Sequence, residues 1–187
     1  MVVQGQLCQI IHGLSTATTA DLPMLQIHLH GPVDVPSGAI RSTPIGSLPV
    51  TAFPAEAVAP LPPLPVTFDQ AASALQSLPQ CFFEPDGAFL MRFPPRGPAW
   101  CVEGELYDNG RQLHYVTLRL RCDSDAPRQP STASEPYPFS EFLHCFGWPE
   151  RRLTAQWVEG GLMARLDDFL PWFRQWSETP AARARLY

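Results

Sequence analysis

The chain reads as an α+β domain: a mainly antiparallel sheet of about five strands, formed by two successive hairpins plus a later strand, packed by three short helices and preceded by a proline-rich N-terminal tail. Three observations predict this. Runs rich in β-branched, aromatic and aliphatic residues flank Asp108-Asn109-Gly110 between Ala99 and Cys122, the pattern of a hairpin closed by a glycine at positive φ. A second pair of runs, CFFE and AFLMRF, flanks Pro85-Asp86-Gly87 with the same turn chemistry. Three further stretches place apolar residues at helical spacing between recognisable start and stop signals.

Taken in order, residues 1–65 are read as a weakly structured tail and linker. Within them MLQIHLH, Met24 to His30, alternates like a short strand with His28 and His30 on one face. Paired histidines at that spacing can ligate a metal, but no third ligand lies nearby in sequence, and a plain strand or coil is the expected reading. From Gly31 to Val66 there are nine prolines and three charged residues in thirty-six positions, which predicts an extended, largely unpacked spacer. Its end, APLPPLPV, resembles the core of an SH3 ligand without the adjacent arginine that orients such ligands, so a passive spacer is expected.

The folded domain is expected at 66–177, with 178–187 a frayed C-terminal tail. Thr67 and Gln70 form a capping box for a helix over Phe68 to Leu78, which Pro79 stops. In the Cys81 hairpin, Phe83, Phe89 and Met91 share one face and Phe82 and Leu90 the other, predicting a place inside the sheet or cover on both sides. The connector Pro94 to Pro98 is too donor-poor for a strand, and Asp123 to Pro138 reads as a polar loop. Phe139, Phe142, Leu143 and Phe146 predict a second helix, terminated by Gly147 and Pro149. LTAQWV, Leu153 to Val158, predicts the fifth strand, and Glu159-Gly160-Gly161 turns the chain. Asp167 or Asp168 caps a third helix carrying Phe169, Trp172, Phe173 and Trp176, with Pro171 in or next to its first turn.

Register decides how the central hairpin is used, because a one-residue slip sends each side chain to the opposite face. A three-residue loop at Asp108-Asn109-Gly110 sets Tyr107 opposite Arg111, Val102 opposite Val116 and Trp100 opposite Leu118. One face then carries Trp100, Val102, Leu106, Val116, Leu118 and Leu120, and the other Cys101, Glu103, Glu105, Tyr115, Thr117, Arg119 and Arg121. A two-residue loop mixes polar and apolar residues on both faces, so the three-residue loop is preferred.

Composition excludes several functions. A formal charge of -5 argues against a general phosphate-backbone binder, whose affinity comes from clustered basic residues, and leaves open a local basic patch. All 13 basic residues are arginine, so no lysine is present for a side-chain Schiff base, pyridoxal phosphate or a P-loop. The five cysteines (Cys8, Cys81, Cys101, Cys122, Cys145) follow no zinc or redox spacing and suit a reducing cytoplasm. The N-terminus lacks the pattern of a signal peptide, and no stretch approaches the roughly 20 apolar residues of a membrane span. No cofactor, metal, nucleic-acid or membrane partner is expected.

No catalytic signature emerges. Glu105 and His114 would make an acid/base pair only in the slipped register; in the preferred one His114 joins the core face opposite Gly104 as a structural histidine. His144 and Cys145, adjacent on a helix, diverge by about 100° and cannot act as a base and nucleophile, and Cys145 is expected to be buried or half-buried. Asp167-Asp168 is explained by capping, and the C-terminal aromatics by core packing. The candidate interaction face is therefore Glu103, Glu105, Tyr115, Arg119 and Arg121. The expected function is a non-enzymatic protein-binding or regulatory module that engages a protein partner or a second copy of itself. The alternative is a small enzyme or ligand-binding protein using Glu103, Glu105, His114 or an aromatic-lined pocket.

Overall fold

The structure, a computed structural model, describes residues 24–35, 38–45, 48–58, 60–79, 81–92, 99–123 and 138–178. The expectations for residues 1–23, the 93–98 connector, the 124–137 loop and the 179–187 tail lie outside the described residues. Among the described residues nine strands form one sheet: β1 (Met24–His30), β2 (Arg41–Ile45), β3 (Leu48–Pro54), β4 (Cys81–Phe83), β5 (Ala88–Arg92), β6 (Ala99–Asp108), β7 (Leu113–Asp123), β8 (Thr154–Trp157) and β9 (Leu162–Arg165). Their order is β2-β3-β9-β8-β1-β7-β6-β5-β4, and each pairing is antiparallel.

The α+β class and antiparallel sheet hold, but the count of about five strands is corrected to nine. Three of the added strands come from the stretch read as a tail and linker. β1 sits at the centre of the sheet between β7 and β8, with Leu25, Ile27 and Leu29 buried. Prolines did not prevent β2 and β3 from pairing: Pro44 lies on the outermost strand, where the outward-facing N–H groups have no ladder partner to lose. The fourth addition, β9, is only four residues long and runs straight into a helix.

APLPPLPV is likewise not an unpacked spacer. Leu64 is 0% exposed, its N–H donates to the Leu113 carbonyl at 2.8 Å, and the Leu113 N–H returns a bond to Val66 at 3.3 Å. Upstream, the Gly31 N–H donates to the Pro62 carbonyl at 3.1 Å. The segment is a strap tying the end of β1 to the start of β7, and its backbone is too engaged to serve as a free polyproline ligand. A side chain at Gly31 has no room, since an added Cβ would lie 2.0 Å from the Pro63 carbonyl oxygen.

The strap delivers the chain to α1 (Phe68–Ser77), where the anticipated capping box is complete: Thr67 Oγ1 accepts from the Gln70 N–H and Gln70 Oε1 from the Thr67 N–H. α2 (Pro138–His144) and α3 (Leu166–Glu178) complete the helices. α3 begins earlier than expected, so Asp167 and Asp168 lie inside its first turn and Pro171 within the helix. Asp167 instead accepts from the Trp148 indole N–H at 3.2 Å. All three helices cover one sheet face. Phe142 of α2 meets Phe89 of β5 with centroids 5.9 Å apart, and Phe139 meets Phe173 of α3 at 4.8 Å, so an aromatic seam joins α2 to the sheet and to its neighbouring helix. Val102, Leu106, Val116, Leu118 and Leu120 are buried beneath them.

The hairpin register differs from the expected one. Asn109 to Gln112 form a four-residue connection between β6 and β7. Asn109 Oδ1 accepts from the N–H groups of Arg111 (3.2 Å) and Gln112 (3.1 Å), and Gly110 takes φ 80°. Val102 therefore faces Leu120, not Val116, and the Trp100 backbone faces Cys122, not Leu118. Because this shift is even, the division of the two faces survives. One residue escapes it: Tyr107 faces Tyr115 while Asp108 faces Leu113, leaving His114 as the extra residue of a bulge. The bulge exposes His114 and buries Leu113, which corrects the structural, core-facing role expected of His114. Gly104 faces Leu118.

Candidate binding groove

With the helices on one face, the side chains of opposite parity stand on the other, and cross-strand pairing sorts them into rows. One row runs Phe82, Leu90, Glu103, Arg119, Gln26. The next runs Ala88, Glu105, Thr117, His28, Gln156, extended past Ala88 by Glu84, whose N–H donates to the Ala88 carbonyl at 2.8 Å. Tyr107 and Tyr115 face one another in a third. Together they line an open groove of about 460 Å³.

The Cys81 hairpin sets one end of this groove. β4 is an edge strand, and Phe82 is 55% exposed, so the expectation that this hairpin lies inside the sheet or is covered on both faces is corrected. Only the face bearing Phe89 and Met91 is packed. Gly87, at φ 97°, closes the turn as anticipated.

The middle of the groove is polar and partly pre-paired. The Tyr107 hydroxyl donates to Glu105 Oε2 at 2.5 Å, and this bond to a carboxylate pushes the phenol up to about 12, so it remains a protonated donor through the neutral range. Tyr107 stacks on Tyr115 with centroids 4.6 Å apart. Glu103 is half-buried and its carboxylate lies 3.5 Å from Arg121, although its direct cross-strand partner is Arg119. Among the described residues, Glu84, Glu105 and Arg119 form no ion pair.

At the other end the aromatic ladder continues through His28, 5.1 Å from Tyr115, to His30, 5.8 Å from Tyr115. His30 is 4% exposed and Nε2 lies 2.9 Å from Gln156 Oε1, while Nδ1 has no hydrogen-bond partner among the described residues. Burial pushes its imidazole down to about 4, and the neighbouring His28 and His114 act in the same direction. Burial also lowers His28. Both rings are therefore neutral near pH 7. Among the described residues no third His, Cys, Asp or Glu joins them in a group able to hold a metal ion.

Of the residues singled out in the sequence, Glu103, Glu105, Tyr115, Arg119 and Arg121 stand together on this face. Glu105 and His114 do not form a pair: Glu105 faces Thr117, and its hydrogen bond comes from Tyr107. His144 and Cys145 are apart from the groove; Cys145 is buried, which pushes its thiol up to about 11. The C-terminal aromatics serve core packing, with Phe169, Trp172, Phe173 and Trp176 in ring contact with one another in the buried cluster. Missed by sequence reasoning were Tyr107, Glu84, Phe82 and His28. Tyr107 shares the parity of Glu105 and was within reach. His28 required knowing that β1 pairs with β7, which no local pattern reveals.

No protein-family model, curated protein or solved structure matches this chain. Among the described residues no helix is long and apolar enough to cross a membrane.

Proposed function

We propose that this chain is a non-enzymatic binding module whose open sheet face receives a protein partner. The observation that carries the reading is the division of the sheet: one face is closed by three helices, while on the other the part built from β4 to β7 presents a groove combining exposed apolar, aromatic and charged side chains. Contiguous apolar surface rimmed by polar groups is the usual composition of an interaction site. Tyr107 spends its hydroxyl hydrogen on Glu105, an arrangement suited to holding a surface in shape. The groove also carries three carboxylates, Glu84, Glu103 and Glu105, against one arginine, Arg119, which suits a protein segment better than a phosphate backbone. A cytoplasmic location agrees with Cys81, Cys101 and Cys145 being free thiols.

The test is amide-shift mapping of the isotope-labelled chain against a library of small polar and aromatic fragments. Hits should cluster on Phe82 to Ala88, Glu103 to Tyr107 and Tyr115 to Arg119. Hits confined to the helices would reject this face as the binding surface.

A further inference from the structure

Glu84 and Glu105 occupy one row of the groove with only the methyl group of Ala88 between them. Adjacent strands lie about 4.8 Å apart, so the two carboxylate-bearing positions are roughly 10 Å apart across a floor that rises no higher than a Cβ. Apolar Phe82 and Leu90 border this gap on one side and the Tyr107 ring on the other. Glu103, in the neighbouring row, is already paired with Arg121, whereas neither Glu84 nor Glu105 has a cationic partner among the described residues. A spacing of roughly 10 Å between the two positions accommodates one guanidinium or ammonium group, with the Glu84 carboxylate and the Glu105 oxygen not engaged by Tyr107 to neutralise it and an aromatic ring beside it.

Resting on the proposed binding role of this face, we infer that the gap over Ala88 is a subsite for a lysine or arginine side chain carried by an extended segment of a partner protein. Charge complementarity selects the cation. The adjoining exposed Phe82 and the open edge strand β4 leave room for the segment to continue past the sheet edge. Arg119, two residues along β7 from the partner of Glu105, disfavours a second cation in the next row, so one basic side chain is held, not a run of them.

The experiment titrates the labelled full chain with capped Ala-Arg-Ala-Arg-Ala, Ala-Gln-Ala-Gln-Ala and Ala-Glu-Ala-Glu-Ala peptides. The arginine peptide should shift the amides of Glu84 to Ala88 and of Glu105 to Tyr107, with affinity falling several-fold between 50 and 500 mM salt, on the order expected for exposed charges. Glu84→Gln combined with Glu105→Gln should weaken it at least tenfold, and Glu141→Gln on α2, away from the groove, should leave it unchanged. Equal shifts of the same amides by the glutamine peptide, or arginine binding indifferent to the double substitution, would overturn the cation subsite while leaving the groove as a binding surface. If no peptide and no fragment shifts a groove amide, the subsite and the binding role fall together.

Discussion

Replacing Gly31 by alanine should destabilise the fold by about 3 kcal/mol, because the strap formed by residues 60–66 cannot stay where it is. The added Cβ would lie 2.0 Å from the Pro63 carbonyl oxygen and 3.2 Å from that of Pro62, and both obstacles are backbone. Displacing the strap removes the Gly31 to Pro62 hydrogen bond, worth roughly 1 kcal/mol, and weakens the two bonds between Leu113 and residues 64 and 66 by about half of that each, together about 2 kcal/mol. Partial exposure of Leu64, fully buried in the native fold, adds about 1 kcal/mol. Urea unfolding followed by tryptophan fluorescence measures the loss. Gly38→Ala serves as the reference: its φ of 92° is unfavourable to alanine but nothing lies within 4 Å, so it should cost only about 1 kcal/mol. If Gly31→Ala unfolds no more readily than Gly38→Ala, the strap is not part of the cooperative fold.

The remaining predictions address acid stability, capping and the bulge. His30 titrates near 4 when folded and at an ordinary 6.5 when unfolded, so the unfolded chain binds the extra proton and stability present above pH 6.5 is lost as pH falls toward 4. His30→Gln should reduce the loss between pH 7 and 4.5 by about 2 kcal/mol relative to wild type; identical pH profiles would show that the buried ring does not set it. Thr67→Ala should cost about 1 kcal/mol in urea unfolding by breaking the capping box, and a neutral result would mean that α1 is held by packing alone. His114→Gln should change stability by less than about 0.5 kcal/mol and be additive with Glu105→Gln; a coupling above about 0.5 kcal/mol would place the two side chains in contact.

Local chemistry was legible in the sequence wherever neighbouring residues decide the outcome. Thr67 and Gln70 specify their own cap, Gly87 and Gly110 their turns, and the alternation through Glu103, Glu105, Tyr115 and Arg119 separates the two faces even under a shifted register, because the shift is even. Long-range pairing was not legible. Nothing within MLQIHLH states that it lies between β7 and β8, and the proline content around Pro44 and Pro49 argues locally against the strands that tertiary contacts nevertheless form. The strap was hidden for the same reason: a proline-rich segment shows neither helical nor strand periodicity, yet Leu64 finds a buried site between distant elements. His114 was misplaced because face alternation breaks at a bulge, and the Asn109 side-chain bonds that lengthen the loop are indistinguishable in sequence from those of a shorter one. For the groove, the residues from β6 and β7 were visible, while Glu84, Phe82 and His28 join only through strand order.

The division of labour between the two sheet faces is tested most directly by measuring unfolding free energy and arginine-peptide affinity on the same two variants. Val102→Ala, at a fully buried position under the helices, should lose about 2 kcal/mol of stability and bind the peptide within twofold of wild type under native conditions. Glu84→Gln with Glu105→Gln should stay within about 0.5 kcal/mol of wild-type stability, since neither carboxylate has an ion pair to lose among the described residues and the amide oxygen at position 105 still accepts from the exposed Tyr107 hydroxyl, and should lose at least tenfold in affinity. A carboxylate variant that unfolds as readily as Val102→Ala, or that binds the peptide like wild type, would contradict the assignment of the open face to binding.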